Sequence, residues 1–262
     1  MKISIWWIRR DLRIQRNPAL EEALANSEAV IPLYILDARL LSKKADKRLS
    51  FLFEAIASLD RDLREQGSQL WIKSGDPATV LQEVVNQTGA EAVFAEADYS
   101  PYARQRDQQI AYSLPLWLVH GLTIFPPGVV VKETGCPYTV FTHFSRVWKS
   151  LPLPGGITTQ PLKNKILSPQ SIKLESVTLP AFTSIPNFPA NEKAAQDRID
   201  HFIASKLYQY ADLRDRMDLD GTSRLSPYLR FGLLSPLYTV QRAMAAIDDA
   251  PDAKARLNAE TW

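Results

Sequence analysis

The sequence is poor in the residues from which metal and redox centres are built: one cysteine, Cys136, and three histidines, His120, His143 and His201, among 262 residues. A lone cysteine excludes an internal disulfide and favours an intracellular, cytoplasmic setting. These four residues show no metal-ligand spacing, so no zinc-type centre is expected. His120, which follows an apolar run, reads as a packed or capping residue. Gly-x-Gly-x-x-Gly and Gly-x-Ser-x-Gly are both absent, which removes the standard dinucleotide fingerprint and the hydrolase nucleophile elbow. No apolar run is long enough to span a bilayer. The apolar start of the chain is cut off by Arg9, Arg10, Asp11 and Arg13, too early and with the wrong flank for a signal peptide. Charge of one sign is lacking too. The 31 Lys and Arg against 29 Asp and Glu leave +2, too little to argue for nucleic acid by itself. There is no internal repeat and no low-complexity tract.

What is present is an apolar share of 45% against 23% charged residues, enough for a packed core. Up to residue 125 short apolar runs alternate with amphipathic ones. Residues 3–8, 29–36, 69–73, 92–96 and 122–125 read as strands. Helices are expected over 17–25, with Asn17 as cap and Pro18 at the first position, over 49–65, closed by Gly67, and over 76–87, closed by Gly89. A further helix is expected over 101–119, kinked or ended by Pro115. This order predicts an α/β fold: a five-stranded parallel Rossmann-like sheet with helices on both faces. Trp6, Trp7 and Trp71 fall in its strands and are expected in the core.

Residues 152–190 collect prolines, among them Pro152, Pro154, Pro161, Pro180, Pro186 and Pro189, and read as a long surface connector. Ile157, Leu162, Ile166, Leu174, Val177, Leu179 and Phe182 are its expected apolar anchors. Lys132, Arg146, Lys149, Lys163, Lys165 and Lys173, against Glu133 and Glu175, focus basic charge mildly around it. A solvated surface is the common origin of such a focus, and a phosphate backbone the alternative. From Asn191 the pattern is helical, over 194–206, 206–216, 227–231 and 236–247, with Ser226-Pro227 and Ser235-Pro236 as cap-plus-proline starts. The expected division is 1–130 for the α/β domain, 131–190 for the connector and 191–262 for the helical segment.

The most informative stretch is Tyr210-Ala-Asp-Leu-Arg214-Asp215, followed by Gly221-Thr222-Ser223-Arg224-Leu225-Ser226-Pro227-Tyr228-Leu229. Gly221 allows a tight turn, Thr222, Ser223 and Ser226 bring hydroxyls, Arg224 brings a charged fork, and a helix begins just after them. Such a turn suits a diphosphate. On spacing alone, a serine-capped helix with an arginine ion pair explains it equally well.

This stretch, with a Tyr-x-x-x-Arg ahead of it, resembles the flavin-phosphate segment of the DNA photolyase/cryptochrome family. Trp6-Trp7-Ile8-Arg9-Arg10-Asp11-Leu12-Arg13 resembles the opening of that family, with Ile8 where Phe is commoner. Arg9, Arg10, Asp11 and Arg13 themselves read as structural ion-pairing residues. Asp98-Tyr99-Ser100-Pro101-Tyr102-Ala103-Arg104-Gln105-Arg106-Asp107 resembles the strand-to-helix junction beside the antenna chromophore, although a solvated helix face accounts for its charges equally well. Residues 138–144 and Trp148 resemble a further family stretch, with a packing role expected. Arg230-Phe231-Gly232-Leu233-Leu234-Ser235-Pro236 matches the next helix boundary of the family.

The resemblance implies that Tyr210, Thr222, Ser223, Arg224, Leu225 and Ser226 contact FAD, and that Arg214 contacts DNA. It implies an all-α FAD-binding domain beginning in the helical segment, and a second antenna chromophore (folate, deazaflavin or flavin) in the α/β domain. The implied activity is light-dependent repair of cyclobutane pyrimidine dimers, with DNA as partner and reduced FAD as electron donor. Arg214 favours this over a cryptochrome-type blue-light photoreceptor. An isolated antenna or nucleotide-binding α/β module is the third reading. Family members run to nearly twice this length, and the remainder carries the rest of the flavin pocket, the dimer-binding aromatics and the tryptophan chain. The expectation is therefore an incomplete, inactive polypeptide that self-associates through an exposed apolar face.

Overall fold

In a computed structural model of the chain, which describes residues 2–42, 45–155 and 165–262, five parallel strands form one sheet in the order β3-β2-β1-β4-β5. They are β1 (Ile3–Ile8), β2 (Ala29–Leu36), β3 (Trp71–Ser74), β4 (Ala92–Glu96) and β5 (Leu116–Val119). Alternation along β1 explains the layering, because successive side chains leave opposite faces of a strand. Trp6 and Ile8 join one apolar cluster with α1 (Pro18–Asn26) and α3 (Asp46–Glu65). Ile5 and Trp7 join another with Trp71, α4 (Pro77–Thr88) and α5 (Pro101–Ala111). A short helix, α2 (Ala38–Leu41), follows β2. Trp6 and Trp71 are completely buried and Trp7 nearly so.

The fifth strand is not at 122–125. Helix α5 stops at Ala111, and Leu116 to Val119 pair with Val93 to Glu96 of β4. Pro115 ends the helix rather than kinking it, and the apolar residues behind it extend at once. The connector completes the sheet edge. Because β3 pairs only with Leu33 to Leu36 of β2, the front of β2 is left open, and residues 165–167 fill it: Val30 N donates to Lys165 O (2.7 Å) and Leu167 N to Val30 O (3.0 Å). Further on, Val177 N donates to Ile72 O (2.8 Å). Leu174 is a buried anchor, and Ile166 and Leu179 are partly buried ones. Val177 and Phe182 are exposed and do not act as the buried anchors expected, Val177 being held by its backbone bond to Ile72. Ile157, Pro161, Leu162 and Lys163 lie outside the described residues.

A helix not expected from the sequence, α6 (Phe141–Ser150), lies within the 131–190 stretch expected as connector. None of its residues is buried, and Phe141 is 78% exposed, so the packing role expected for residues 138–144 is not realised among the described residues. Trp148 meets Phe125 edge-on at 5.5 Å. The helical segment comprises α7 (Glu192–Ser205), α8 (Tyr210–Leu213), α9 (Ser226–Arg230), α10 (Pro236–Asp248) and α11 (Ala253–Thr261).

The loop after β1 locks this segment to the sheet. Leu12 N donates to Phe231 O (3.1 Å), and Arg13 Nη1 donates to Gly232 O (3.1 Å). The Glu192 carboxylate accepts from Ile14 N (3.0 Å) and Gln15 N (3.2 Å). Phe51 of α3 packs edge-on against Tyr228 (5.4 Å) and stacks with Phe231 (5.6 Å). Aromatic pairs of this kind add about 0.5–1.5 kcal/mol each beyond the area they bury.

Candidate functional site

At the carboxyl ends of β1, β2 and β4, where open α/β sheets bind ligands, the loops enclose a cavity of about 200 Å³. Trp7, Tyr34 and Tyr102 give it aromatic walls, and Arg10, Arg48 and Arg230 give it cationic ones. The Trp7 ring carries two guanidiniums, of Arg9 (4.8 Å) and Arg106 (4.7 Å). Both are pinned by one carboxylate: Asp107 pairs with Arg9 at 2.7 Å and with Arg106 at 2.8 Å. Arg106 and Asp107 are buried, which corrects the reading of this stretch as a solvated helix face. Burial pulls the Arg9 guanidinium down from its usual value, and Asp107 opposes that shift.

The phenol of Tyr102 donates to Asp37. Burial and this hydrogen bond push it up to about 12. Burial, and secondarily the charge of Asp11, raises the Tyr34 phenol further. Both therefore present neutral, protonated hydroxyls at ordinary pH. Arg13 is buried against Glu96 at 2.6 Å, and Asp11 accepts from Arg9 N (2.8 Å) and Trp6 Nε1 (3.4 Å). The charged run after β1 is thus ion-paired, as expected, but Arg9 and Arg13 find their partners on α5 and β4 and Arg10 finds Asp98 in the loop between them. His120 is a packed residue, with Nδ1 at 2.8 Å from the Tyr99 hydroxyl and Nε2 at 3.3 Å from Ile124 O.

The second candidate is the turn before α9. Gly221 packs so closely on Leu213 that a Cβ there would lie 2.6 Å from the Leu213 carbonyl oxygen. Close approach, not an unusual φ, is what requires glycine. Arg224 adopts the left-handed conformation at φ 51° and pairs with Asp220 at 2.8 Å, and Asp220 also receives Lys206 at 2.8 Å. Thr222 and Ser226 are exposed and Leu225 is buried. Ser226 is the first helical residue rather than the cap: the cap position falls on Leu225, which makes no side-chain capping bond.

Tyr210 and Ser223 are brought together through two aromatics. Phe202 meets Tyr210 at 5.9 Å and Trp262 at 4.9 Å, and Trp262 Nε1 donates to Ser223 Oγ (3.4 Å). Exposed hydroxyls, an uncapped helix start and two cations sharing one carboxylate fit a phosphate-bearing group. Arg214, next to the Leu213 on which Gly221 packs, is exposed and 3.5 Å from Asp215. Among the described residues no cluster could hold a metal ion, and no helix is long and apolar enough to cross a membrane.

Sequence reasoning did not single out Tyr34, Asp37 and Arg48 as site residues, and assigned Arg230 only to a helix boundary. They are far apart in the chain, and only the sheet gathers them. The one local hint is Asp37 directly after a fully apolar strand, the position where ligand-facing residues of α/β sheets fall.

The DNA photolyase family model matches residues 4–163. A deoxyribodipyrimidine photo-lyase of Thermus thermophilus is 35% identical over 235 residues, covering 88% of this chain and 52% of its own. A Synechococcus protein named only as an uncharacterized 31.6 kDa protein is 30% identical over 274 residues, covering 99% of this chain and 95% of its own. The crystal structure of a class III photolyase from Agrobacterium tumefaciens has a TM-score of 0.83 at 25% identity, over 99% of this chain and 57% of that one. A Synechocystis cryptochrome shares the fold, with a TM-score of 0.84 at 20% identity over 98% of this chain and 58% of its own. The chain therefore spans about half the length of the photo-lyases it matches and nearly all of the Synechococcus protein. On the family match over residues 4–163 and these relatives, the chain belongs to the DNA photolyase/cryptochrome family.

Proposed function

We propose that the chain supplies two parts of a light-driven flavoprotein that repairs cyclobutane pyrimidine dimers in DNA, in the cytoplasm: a chamber for a second, light-collecting chromophore, and the grip on the FAD diphosphate. The observation that carries this reading is the cavity at the sheet edge, with aromatic walls at Trp7, Tyr34 and Tyr102 and cations at its rim. That combination suits a flat heteroaromatic chromophore, whether folate, deazaflavin or flavin. Thr222, Ser223, Ser226 and Arg224 are the groups that hold the FAD diphosphate, Tyr210 and Leu225 line the same turn, and Arg214 faces DNA. When bound and reduced, FAD supplies the light-driven electron that splits the dimer. The residues of this chain bind and orient, and dimer splitting needs the further residues that the longer photo-lyases carry.

The test is FAD and ADP binding to the purified chain, with and without Arg224→Ala, beside a blue-light repair assay on a dimer-containing oligonucleotide. FAD binding that ADP competes away and Arg224→Ala weakens, without repair, supports the reading. Absence of FAD binding overturns the diphosphate grip, and efficient repair by the 262 residues overturns the division of labour.

A second reading, a cryptochrome-type photoreceptor, is favoured by the charges around Arg214. Asp212, Asp215, Asp218 and Asp220 pair with Lys254, Arg214, Arg216 and Arg224, so little free positive charge faces outward for a phosphate backbone. DNA affinity that is insensitive to salt and to Arg214→Ala supports this second reading.

A further inference from the structure

The cavity at the sheet edge is walled by two parts of the chain. Trp7, Tyr34 and Arg48 belong to the α/β domain, whereas Arg230 and Phe231 come from the end of α9. Both contributions are cationic. Arg9, Arg10, Arg48, Arg106 and Arg230 line the cavity together with Asp37 and Asp98, and Asp107 stands behind Arg9 and Arg106. Five positive charges against three negative ones leave an excess of two. Arg9 and Arg106 are committed to Asp107. Arg10 reaches Asp98 only at 3.5 Å, and Arg48 donates to the Leu40 carbonyl at 3.2 Å. Arg230 makes no ion pair among the described residues. Its backbone carbonyl instead receives Arg10 Nε at 3.5 Å, which places two like charges on either side of the seam. Burial first, then Arg10, pulls the Arg230 guanidinium below its usual value, with Arg48 adding to the repulsion and Asp98 opposing it.

We propose that the cavity is an anion-filled clasp: a planar heteroaromatic ligand whose anionic tail lies among Arg10, Arg48 and Arg230 fastens α9, and with it the turn at 221–226, to the sheet edge. The clasp rests on the reading of this cavity as the chromophore chamber. Its physical basis is the seam: an anion there meets cations from both parts at once and replaces a repulsion by an attraction, so it binds the docked arrangement better than a loosened one. Helix α9 transmits the effect because it is only five residues long, with Ser226 at one end and Arg230 at the other. Tyr228 between them is completely buried. Linkage makes the effect reciprocal: a ligand gripping the 221–226 turn raises affinity at the cavity by the same factor.

The experiment uses the full chain carrying Arg224→Ala, which weakens the other anion-holding turn, and compares FMN with riboflavin, the same ring system without the phosphate. Binding is followed by flavin fluorescence, and docking by amide hydrogen exchange over residues 226–234. Expected are FMN affinity about tenfold above riboflavin, the worth of one charge-assisted contact, and slowed exchange over α9 with FMN only. Arg230→Met should lose both differences while retaining riboflavin affinity, which shows the cavity intact, and Arg48→Met should weaken FMN similarly. If FMN binds but exchange over α9 is unchanged, or Arg230→Met binds FMN undiminished, the clasp is wrong and the chamber stands. If neither flavin binds, the chamber reading and the clasp fall together.

Discussion

Gly232 lies against the backbone of Arg10. At φ 67°, a Cβ at this position would overlap the Arg10 carbonyl and lie 2.6 Å from the Asp11 α-carbon. The partner atoms are backbone, so nothing flexible can move aside. Gly232→Ala is expected to cost about 2–3 kcal/mol or more, from left-handed strain plus steric overlap, and to loosen the helical segment from the sheet. Gly67 is the control. Its φ of 82° is equally left-handed but its Cβ would meet nothing within 4 Å, so Gly67→Ala should cost only about 1 kcal/mol. Urea unfolding of both variants checks this, and equal losses would mean that the contact with Arg10 contributes nothing.

Asp107 neutralises two guanidiniums that are themselves almost completely buried. Asp107→Asn removes the shared counter-charge and leaves Arg9 and Arg106 facing each other over Trp7. Removing one partner of a buried ion pair costs about 3–5 kcal/mol, so the melting temperature should fall steeply. Adding Arg106→Met, which removes one orphaned charge, should restore part of that loss, a coupling that a double-mutant cycle reads directly.

That triad marks where sequence reasoning reached its limit. Strands β1, β2 and β4 are legible because their apolar runs are bounded by charge or turn residues. Asn17 and Ser235 are legible as caps, and each accepts the expected backbone N–H. The charges of α5 were ambiguous because helical spacing does not say what covers a face, and Arg9 from a distant loop covers this one. Strand β5 was misplaced because four apolar residues directly behind a proline continue a helical pattern as readily as they begin a strand. Helix α11 had a usable signal in Asp252, which accepts from Ala255 N at 2.8 Å. The turn at 221–226 is readable in one piece as a candidate because its residues are consecutive, whereas the cavity draws on loops from both parts of the chain.

Two buried carboxyls should make stability depend on pH. Burial pushes Glu96 and Glu192 up to about 7 from 4.5, against the opposing pull of Arg13 on each. Between those values the native state keeps protons that the unfolded chain has released. Their contribution to stability is therefore largest below pH 4.5 and falls as pH rises through 7. Asp220, held low by its hydrogen bond to Lys206, acts in the opposite sense, but only below its ordinary value of 3.8. The urea midpoint should drop between about pH 5 and about pH 8. Glu192→Gln, which keeps an acceptor for the Ile14 amide, should flatten that slope. An identical slope in wild type and variant would remove Glu192 from the account.

The uncovered side of α6 should make the chain associate at high concentration. Phe141 and Val140 are exposed, and apolar surface left in water favours contact between copies. Light scattering over a dilution series should show a mass that rises with concentration. Phe141→Asp, at a position where no buried contact is lost, should return it to the monomer value. A monomer at every concentration would show that this face is harmless in water.

Gly221 offers the sharpest separation of flavin grip from folding. A Cβ there would press on the Leu213 carbonyl and its side chain at 2.6 Å, so Gly221→Ala must push the turn away from α8. The disturbed residues are Thr222 to Ser226, of which only Leu225 belongs to one of the two large apolar clusters. FAD or ADP affinity is therefore expected to fall at least about tenfold, which corresponds to about 1.4 kcal/mol. Far-ultraviolet circular dichroism should remain that of the wild type, and the urea midpoint should move little. Ser223→Ala, which removes only the hydroxyl that receives Trp262 Nε1, should weaken binding less. A Gly221→Ala protein that binds FAD as wild type does would show that the close approach to Leu213 shapes the backbone without shaping the grip.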